Sequence, residues 1–271
     1  MISVVIRTKN QSTALNFALK NLTERYLDSI SEIIVVDNES IDDSREIASQ
    51  YNARFVSVKN FSYGGSANIC AQEARYPIVV LFSAHSYPVS HDFFELIQQK
   101  FDQNPNLAGL RCLHNPNDYK NYINQISALT DPNKSGLIFS GSAFSRAVWE
   151  RYPFKEDVAT FEDKEWTTRV IANGYDIDFV PSIFCYDIQR TKAQQFFRFK
   201  NDVVGNYQLW HEDIKFENAI KGLIGSTFNL VKNFFVDFWY ILKRFIYLIK
   251  FIMNKPKKFN SVGNNLSNGQ K

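Results

Sequence analysis

Four apolar runs, "ISVVIRTKN", "EIIVVDNES", "ARFVSVKN" and "PIVVLFSAH", each end in polar residues, and helix-like stretches separate them. Near-continuous apolar runs of this length are what strands covered on both faces require. Helices are predicted over residues 12–26, 42–51 and, after the glycine turn "SYGGSAN", on to residue 74. Strand–helix alternation at steps of about 30 residues predicts βαβ units and a mainly parallel sheet flanked by helices. Ligands of such sheets bind beyond the carboxyl ends of the strands. Thr8, Lys9, Asn10, Asp37, Ser83 and His85 are therefore expected to share one rim.

Downstream the pattern predicts a helix over 92–102, a strand in "LAGLRCL", and loops at 104–106 and 115–122. "GLIFSGSAFSRAVWERYPF" reads as a strand turning into a short helix. "TFEDKEWTTRVIANGYDIDFVP" reads as a helix closed by Gly174 and then a strand.

Residues 217–253 are dense in Phe, Leu, Ile, Trp and Tyr, with Lys221, Lys232, Lys243, Arg244 and Lys250 between them. At about 100° per residue the four lysines fall within roughly a 40° arc. The longest uncharged run, 222–231, is about half of the ~20 residues a spanning helix needs. Helices lying in a membrane interface, with the lysines toward anionic headgroups, are expected; Trp239, Tyr240 and Tyr247 suit that setting. The rival is a helix pair packed on the rest of the chain or on a partner, a second copy included. The expected organisation is an α/β domain over 1–215, amphipathic helices over 216–254 and a disordered basic tail over 255–271.

The charge balance, 31 basic against 28 acidic residues in a chain of 271, is not that of a nucleic-acid binder. Cys70, Cys112 and Cys185 are widely spaced, without a CxxC pair, and predict reduced thiols in a cytosolic setting. The opening "MISVVIRTKN" runs straight into a strand, so no secretion signal is expected.

Two places offer chemistry. Asp37, at the end of a buried strand, can accept hydrogen bonds from a ribose or base edge; it can equally form a turn or cap the next helix. "TFEDKEW" places Glu162, Asp163 and Glu165 at a helix start. There one carboxylate can act as general base, or Thr160 and Asp163 can simply form a capping box. Neither GxGxxG after the first strand nor GxxxxGK[ST] occurs, which argues against a dehydrogenase and a P-loop NTPase.

In sequence order, "ISVVIRTKN", "EIIVVDNESIDDS", "SYGGSANICAQEA", "VVLFSAHSYP", "FSGSAFSRAVWERYPF" and "FEDKEW" resemble family 2 of the inverting glycosyltransferases, over roughly residues 1–200. The resemblance implies a GT-A fold and transfer of a sugar from a nucleotide-diphosphate donor to a hydroxyl of a saccharide or lipid-linked acceptor. It implies donor contacts at Thr8, Asn10, Asp37, Asn68 and Ser83. It makes Asp163 the acceptor-activating base, with Glu162 beside it. The family's metal-gripping DxD motif falls on Ser83-Ala84-His85, the "SAH" of a subgroup. A divalent metal, Mn2+ or Mg2+, is thus expected on His85, with Asp187 of "IFCYDIQRT" as a further oxygen ligand; an imidazole favours Mn2+. Arg146 and "FSGSAF" fall where the family shapes its sugar and acceptor sites. With the tail, this suggests a cytoplasmic enzyme on the inner leaflet, in surface polysaccharide assembly. The rivals are a GT-A-fold scaffold without catalysis and a nucleotidyltransferase. A glycoside hydrolase ranks last, because adjacent helix residues do not face each other.

Overall fold

The computed structural model describes residues 1–188 and 190–258. It divides into two compact units, Met1–Glu212 and the residues from Asp213 onward. The first opens with β1 (Ile2–Thr8), α1 (Ser12–Arg25), β2 (Glu32–Asp37), α2 (Ser44–Gln50), β3 (Arg54–Ser57), α3 (Tyr63–Glu73) and β4 (Ile78–Ser83). Then follow β5 (Ser86–Pro88), α4 (Phe93–Gln103), β6 (Leu107–Leu113), α5 (Pro116–Ile123), α6 (Pro132–Ser135), β7 (Ser142–Ser145), α7 (Arg146–Arg151), α8 (Glu162–Ala172), β8 (Asp176–Tyr186) and α9 (Lys192–Trp210). The second unit holds α10 (Phe216–Met253), one continuous helix where several were expected.

The sheet has eight strands in the order β3-β2-β1-β4-β7-β6-β8-β5. β3, β2, β1 and β4 are parallel; β7 runs against both β4 and β6, and β5 against β8. The alternation of buried faces explains the apolar runs. Val4, Ile6, Val35, Val80 and Phe82 pack with Leu15 and Leu19 of α1 and Phe93 and Phe94 of α4. Val5, Ile34, Val36, Val79 and Leu81 pack on the opposite face with Cys70 of α3 and Trp166 and Val170 of α8. Each large side chain so buried stabilises the fold by about 1.5–3 kcal/mol.

Three sequence expectations change. Tyr63, Gly64 and Gly65 are the first turn of α3, capped by Ser62, whose hydroxyl accepts from the Gly65 N–H at 2.9 Å. Residues 116–123 are helical: Asn115 caps the backbone N–H groups of Asn117 and Asp118, and Pro116 sits in the first turn, a start signal hidden by a polar sequence. The β7 strand is confined to Ser142–Ser145, because Gly141 at φ +76° turns the chain, and a Cβ there would lie 2.0 Å from the Phe184 ring. The expected disordered tail lies outside the described residues from 259 onward.

Candidate active site

The parallel register assembles the rim. Thr8 pairs with Asp37, Arg7 with Ser83, and Asp37 with Ser57. Thr8 and Asp37 are each 3% exposed. Asp37 Oδ2 accepts from the Ser40 N–H at 2.8 Å, a turn bond that uses one oxygen only. Asp37 Oδ1 and Thr8 Oγ1 are buried without a hydrogen-bond partner among the described residues. Such atoms cost about 1–3 kcal/mol each unless something meets them. Asn10, at φ +49°, joins the loops after β1 and β2: its N–H donates to Ser40 Oγ at 2.7 Å and its Oδ1 accepts from the Ile41 N–H at 2.9 Å.

Beside this rim an open cavity of about 290 Å3 is lined by Asn10, Gln11, Ser12, Thr13, His85 and Asp187, among others. The two candidate metal ligands thus face one space. The Asp187 N–H donates to the His85 carbonyl at 2.9 Å, which fixes their spacing. Gln11 Oε1 lies 3.0 Å from His85 Nδ1, so Nδ1 carries the proton. Nε2 is left with its lone pair, buried and unpartnered among the described residues. Burial, with Arg190 and Arg7 nearby, lowers the His85 pKa to about 4 against the opposing pull of Asp187. A neutral imidazole with a free Nε2 beside a carboxylate fits a divalent cation. The described residues hold no cluster of three or more His, Cys, Asp or Glu side chains able to bind a metal, so two protein ligands would share the ion with oxygens of a bound anion. Ser83 lies just behind: its N–H donates to Ser86 Oγ at 2.9 Å and Ser140 Oγ at 3.0 Å. That tie anchors the "SAH" turn to the "FSGSAF" segment.

The acidic pair opens α8. Phe161, at φ +66°, is the N-cap and offers no side-chain bond; the Thr160–Asp163 capping box does not form. A left-handed bulky residue is strained. It is held in place because Gly205 of α9 lets it approach: a Cβ at 205 would lie 2.7 Å from both Phe161 Cδ2 and Thr160 Cγ2. The Phe161 ring packs against Trp210 at 5.0 Å. Glu162 is buried, 3.9 Å from Arg7 Nη1. Burial and then the neighbouring Asp163 push its carboxyl up to about 7, against the pull of Arg7. Asp163 is half-buried and is the more accessible of the two. Glu165 is committed elsewhere, to a two-bond contact with Arg169 at 2.9 Å.

Not every predicted residue reaches the site. Asn68 spends its amide on the fold: Nδ2 donates to the Phe154 carbonyl, and Oδ1 accepts from Trp149 Nε1 and the Phe154 N–H, all at 2.9 Å. The indole that meets Asn68, Trp149, itself packs against the core cluster that holds the fully buried Trp166. Other residues emerge from the structure. Arg7 bonds Ser66 Oγ at 2.7 Å, lies 3.5 Å from the Phe139 ring centroid, and acts electrostatically on both His85 and Glu162. Buried Arg111 donates to Asp118 at 2.7 Å, and His114 meets the same carboxylate at 2.6 Å. The side chain of Lys164 donates to the Gly136 carbonyl at 3.0 Å, and burial lowers its pKa to about 8. The available signal was a charged residue inside an apolar strand, "VVIRT" and "GLRCL", which must find partners when buried.

The sequence pattern of glycosyl transferase family 2 matches residues 3–162, more than half of the chain. No curated protein matches it in sequence. Solved structures share the fold. Mannosyltransferase PcManGT from Pyrobaculum calidifontis, in complex with GDP-Man and Mn2+, superposes with a TM-score of 0.61 at 21% identity. That match covers 79% of this chain and 65% of the mannosyltransferase, so the chain spans just under two thirds of that protein. Glucosyl-3-phosphoglycerate synthase from Mycobacterium tuberculosis, with Mn2+, UDP and glucosyl-3-phosphoglycerate, gives 0.57 at 15% identity, over 79% of this chain and 81% of that one. S. aureus TarS with UDP-GlcNAc gives 0.60 at 15%, over 81% and 69%. The shared architecture is the GT-A fold.

Proposed function

The chain belongs to glycosyl transferase family 2, and from that premise we propose that it moves a sugar from a nucleotide-diphosphate donor to an acceptor hydroxyl with inversion. One observation carries this reading: Thr8 and Asp37, register partners at the carboxyl edge of the sheet, each present a buried polar atom that no described residue meets. A nucleoside offers ribose hydroxyls and base N–H groups to such acceptors. The fold relatives carrying GDP-Man, UDP or UDP-GlcNAc support the donor class.

In the proposed reaction Asp163 takes the proton of the acceptor hydroxyl. The oxygen attacks the anomeric carbon, the bond to the diphosphate breaks, and the nucleoside diphosphate leaves from the opposite face. Adjacent positions on α8 point in different directions, so accessible Asp163 is the base and buried Glu162 works through Arg7. Arg7 orders the floor between the acidic pair and His85. A divalent cation, when bound at His85 and Asp187, would offset charge on the departing diphosphate. Fixing donor and acceptor supplies up to about 7–11 kcal/mol. The acceptor is a saccharide or lipid-linked hydroxyl, in assembly of a surface polysaccharide.

Calorimetric titration with UDP, GDP, CMP and dTDP, with and without Mn2+, tests the reading. Binding of one nucleotide, strengthened by Mn2+, is expected. Folded protein that binds none of the four would favour a scaffold instead.

A further inference from the structure

α10 runs unbroken for 38 residues, and every side chain along it is exposed. At 1.5 Å per residue it is about 57 Å long. Plotted at 100° per residue, its two faces separate: an apolar face about 160° wide is interrupted only by Glu217 and Thr227. The straight-helix period persists along the whole length. On the apolar face most residues 18 apart, five turns of a 3.6-residue helix, match in kind, as Leu223 with Ile241, Ile224 with Leu242, and Leu230 with Leu248, and on its border Lys232 matches Lys250. The opposite face carries Lys221, Lys232, Lys243 and Lys250, which line one border of the apolar face, with glycines, asparagines, Arg244 and Asp237 beyond them, and with Val236, Tyr240, Tyr247 and Phe251 scattered among these. Lys243 Nζ lies 5.4 Å from the Trp239 ring, so a cation and an interfacial indole share the border of the apolar face.

Three properties choose the occupant of this face. No described helix is long and apolar enough to cross a membrane, which leaves a helix lying along a surface. The face is broader than the narrow stripe that a two-stranded coiled coil covers. The helix carries five basic side chains and two acidic ones, so an antiparallel second copy would oppose lysine with lysine and a parallel one would offer the lysine border a single carboxylate, Asp237, beside Arg244, whereas anionic headgroups complement the lysine border.

We propose that α10 lies flat in the interface of an anionic lipid bilayer, its apolar face at the acyl boundary and its lysine border among headgroup phosphates. Only the corollary, that the acceptor is met at that surface, rests on the transferase reading.

The test is flotation of the full chain with vesicles of phosphatidylcholine alone and of phosphatidylcholine mixed with phosphatidylglycerol. Stronger binding to the mixed vesicles, weakened by salt, is expected. Replacing Lys221, Lys232, Lys243 and Lys250 by Gln should weaken it roughly fivefold per lysine. Phe234→Asp with Phe245→Asp should abolish binding to both vesicle types. These side chains are exposed, so the thermal midpoint of the α/β unit should not move and serves as the folding check. Failure of the wild-type chain to float with mixed vesicles, or equal binding by the lysine variant, would overturn the proposal. So would a solution dimer that vesicles leave intact and the Phe variant dissolves, since it gives the face to a second copy. No nucleotide enters this assay, so its outcome is separate from that of the donor titration.

Discussion

Gln11 holds the His85 ring: Oε1 lies 3.0 Å from Nδ1, while Nε2 stays buried and unpartnered among the described residues. The side chain nearest a ligand nitrogen sets its tautomer, and loss of such a partner commonly costs 10–100-fold in metal affinity. Gln11→Leu should therefore weaken Mn2+-dependent nucleotide binding by about 10–100-fold, and His85→Ala by at least as much. Calorimetric Mn2+ titrations at fixed nucleotide measure this. An unchanged titration in His85→Ala would remove it as a ligand.

Asp163 is the accessible member of the acidic pair. Asp163→Asn keeps shape and removes proton acceptance, so turnover should fall at least about a hundredfold with donor binding near normal. Single-turnover transfer beside donor calorimetry reads both effects, and near-wild-type turnover would move the base elsewhere.

The first half of the fold was legible because β1, β2 and β4 are buried on both faces and so written as continuous apolar runs. The rim was legible because Thr8, Asp37 and His85 stand where those runs stop. The rest depended on distant contacts. Asn68 looks like a ligand residue in "SYGGSAN", yet Trp149 and Phe154, some 80 positions on, consume its amide. Thr160 and Asp163 satisfy the spacing of a capping box, but the Phe161 backbone, locked against α9, takes the cap position instead. The tail's helical period was legible in the lysine spacing over 221–250, but the sequence offered nothing that fixed one continuous helix of 38 residues rather than several.

Gly205 is where α9 meets the strained Phe161. In Gly205→Ala the new methyl would stand 2.7 Å from Phe161 Cδ2, and overpacking of this kind costs about 1–3 kcal/mol. The loop must shift, and Asp163 moves with it. A lower thermal midpoint is expected, with reduced turnover and unchanged nucleotide affinity at Thr8 and Asp37. Equal loss of affinity and turnover would show that the rim and α8 move as one body.

Glu162 makes stability depend on pH. Its carboxyl, ordinarily at 4.5, is pushed up to about 7 by burial and Asp163. The folded state therefore holds a proton that the unfolded state releases between those values. The contribution is complete below the unfolded value and is lost as pH rises through about 7. Glu162→Gln cannot lose the proton. Relative to wild type it should gain stability on going from pH 5 to pH 8, on the order of 3 kcal/mol. Urea unfolding of both proteins at the two pH values tests this; a pH-independent difference would mean that Arg7 keeps Glu162 ionised throughout.

Arg111 and Asp118 are both buried, 2.7 Å apart, and His114 shares the carboxylate. Burial works to raise the Asp118 carboxyl, but the His114 hydrogen bond and the Arg111 charge outweigh it and hold it below the usual range. Asp118→Ala would leave the Arg111 charge buried and unanswered, at a cost of about 3–5 kcal/mol. Replacing both by apolar residues of similar volume, Arg111→Met with Asp118→Leu, should recover most of the loss, since a buried pair contributes little beyond its own desolvation. Because the folded carboxyl is depressed, its stabilisation is present above the unfolded value near 3.8 and lost as pH falls below it. Urea unfolding of the single variant should thus converge on wild type in acid. A single variant as stable as wild type at pH 7 would mean that Arg111 finds another partner, with the Gly136 carbonyl, already 2.9 Å from its Nη1, the nearest acceptor to take up the charge.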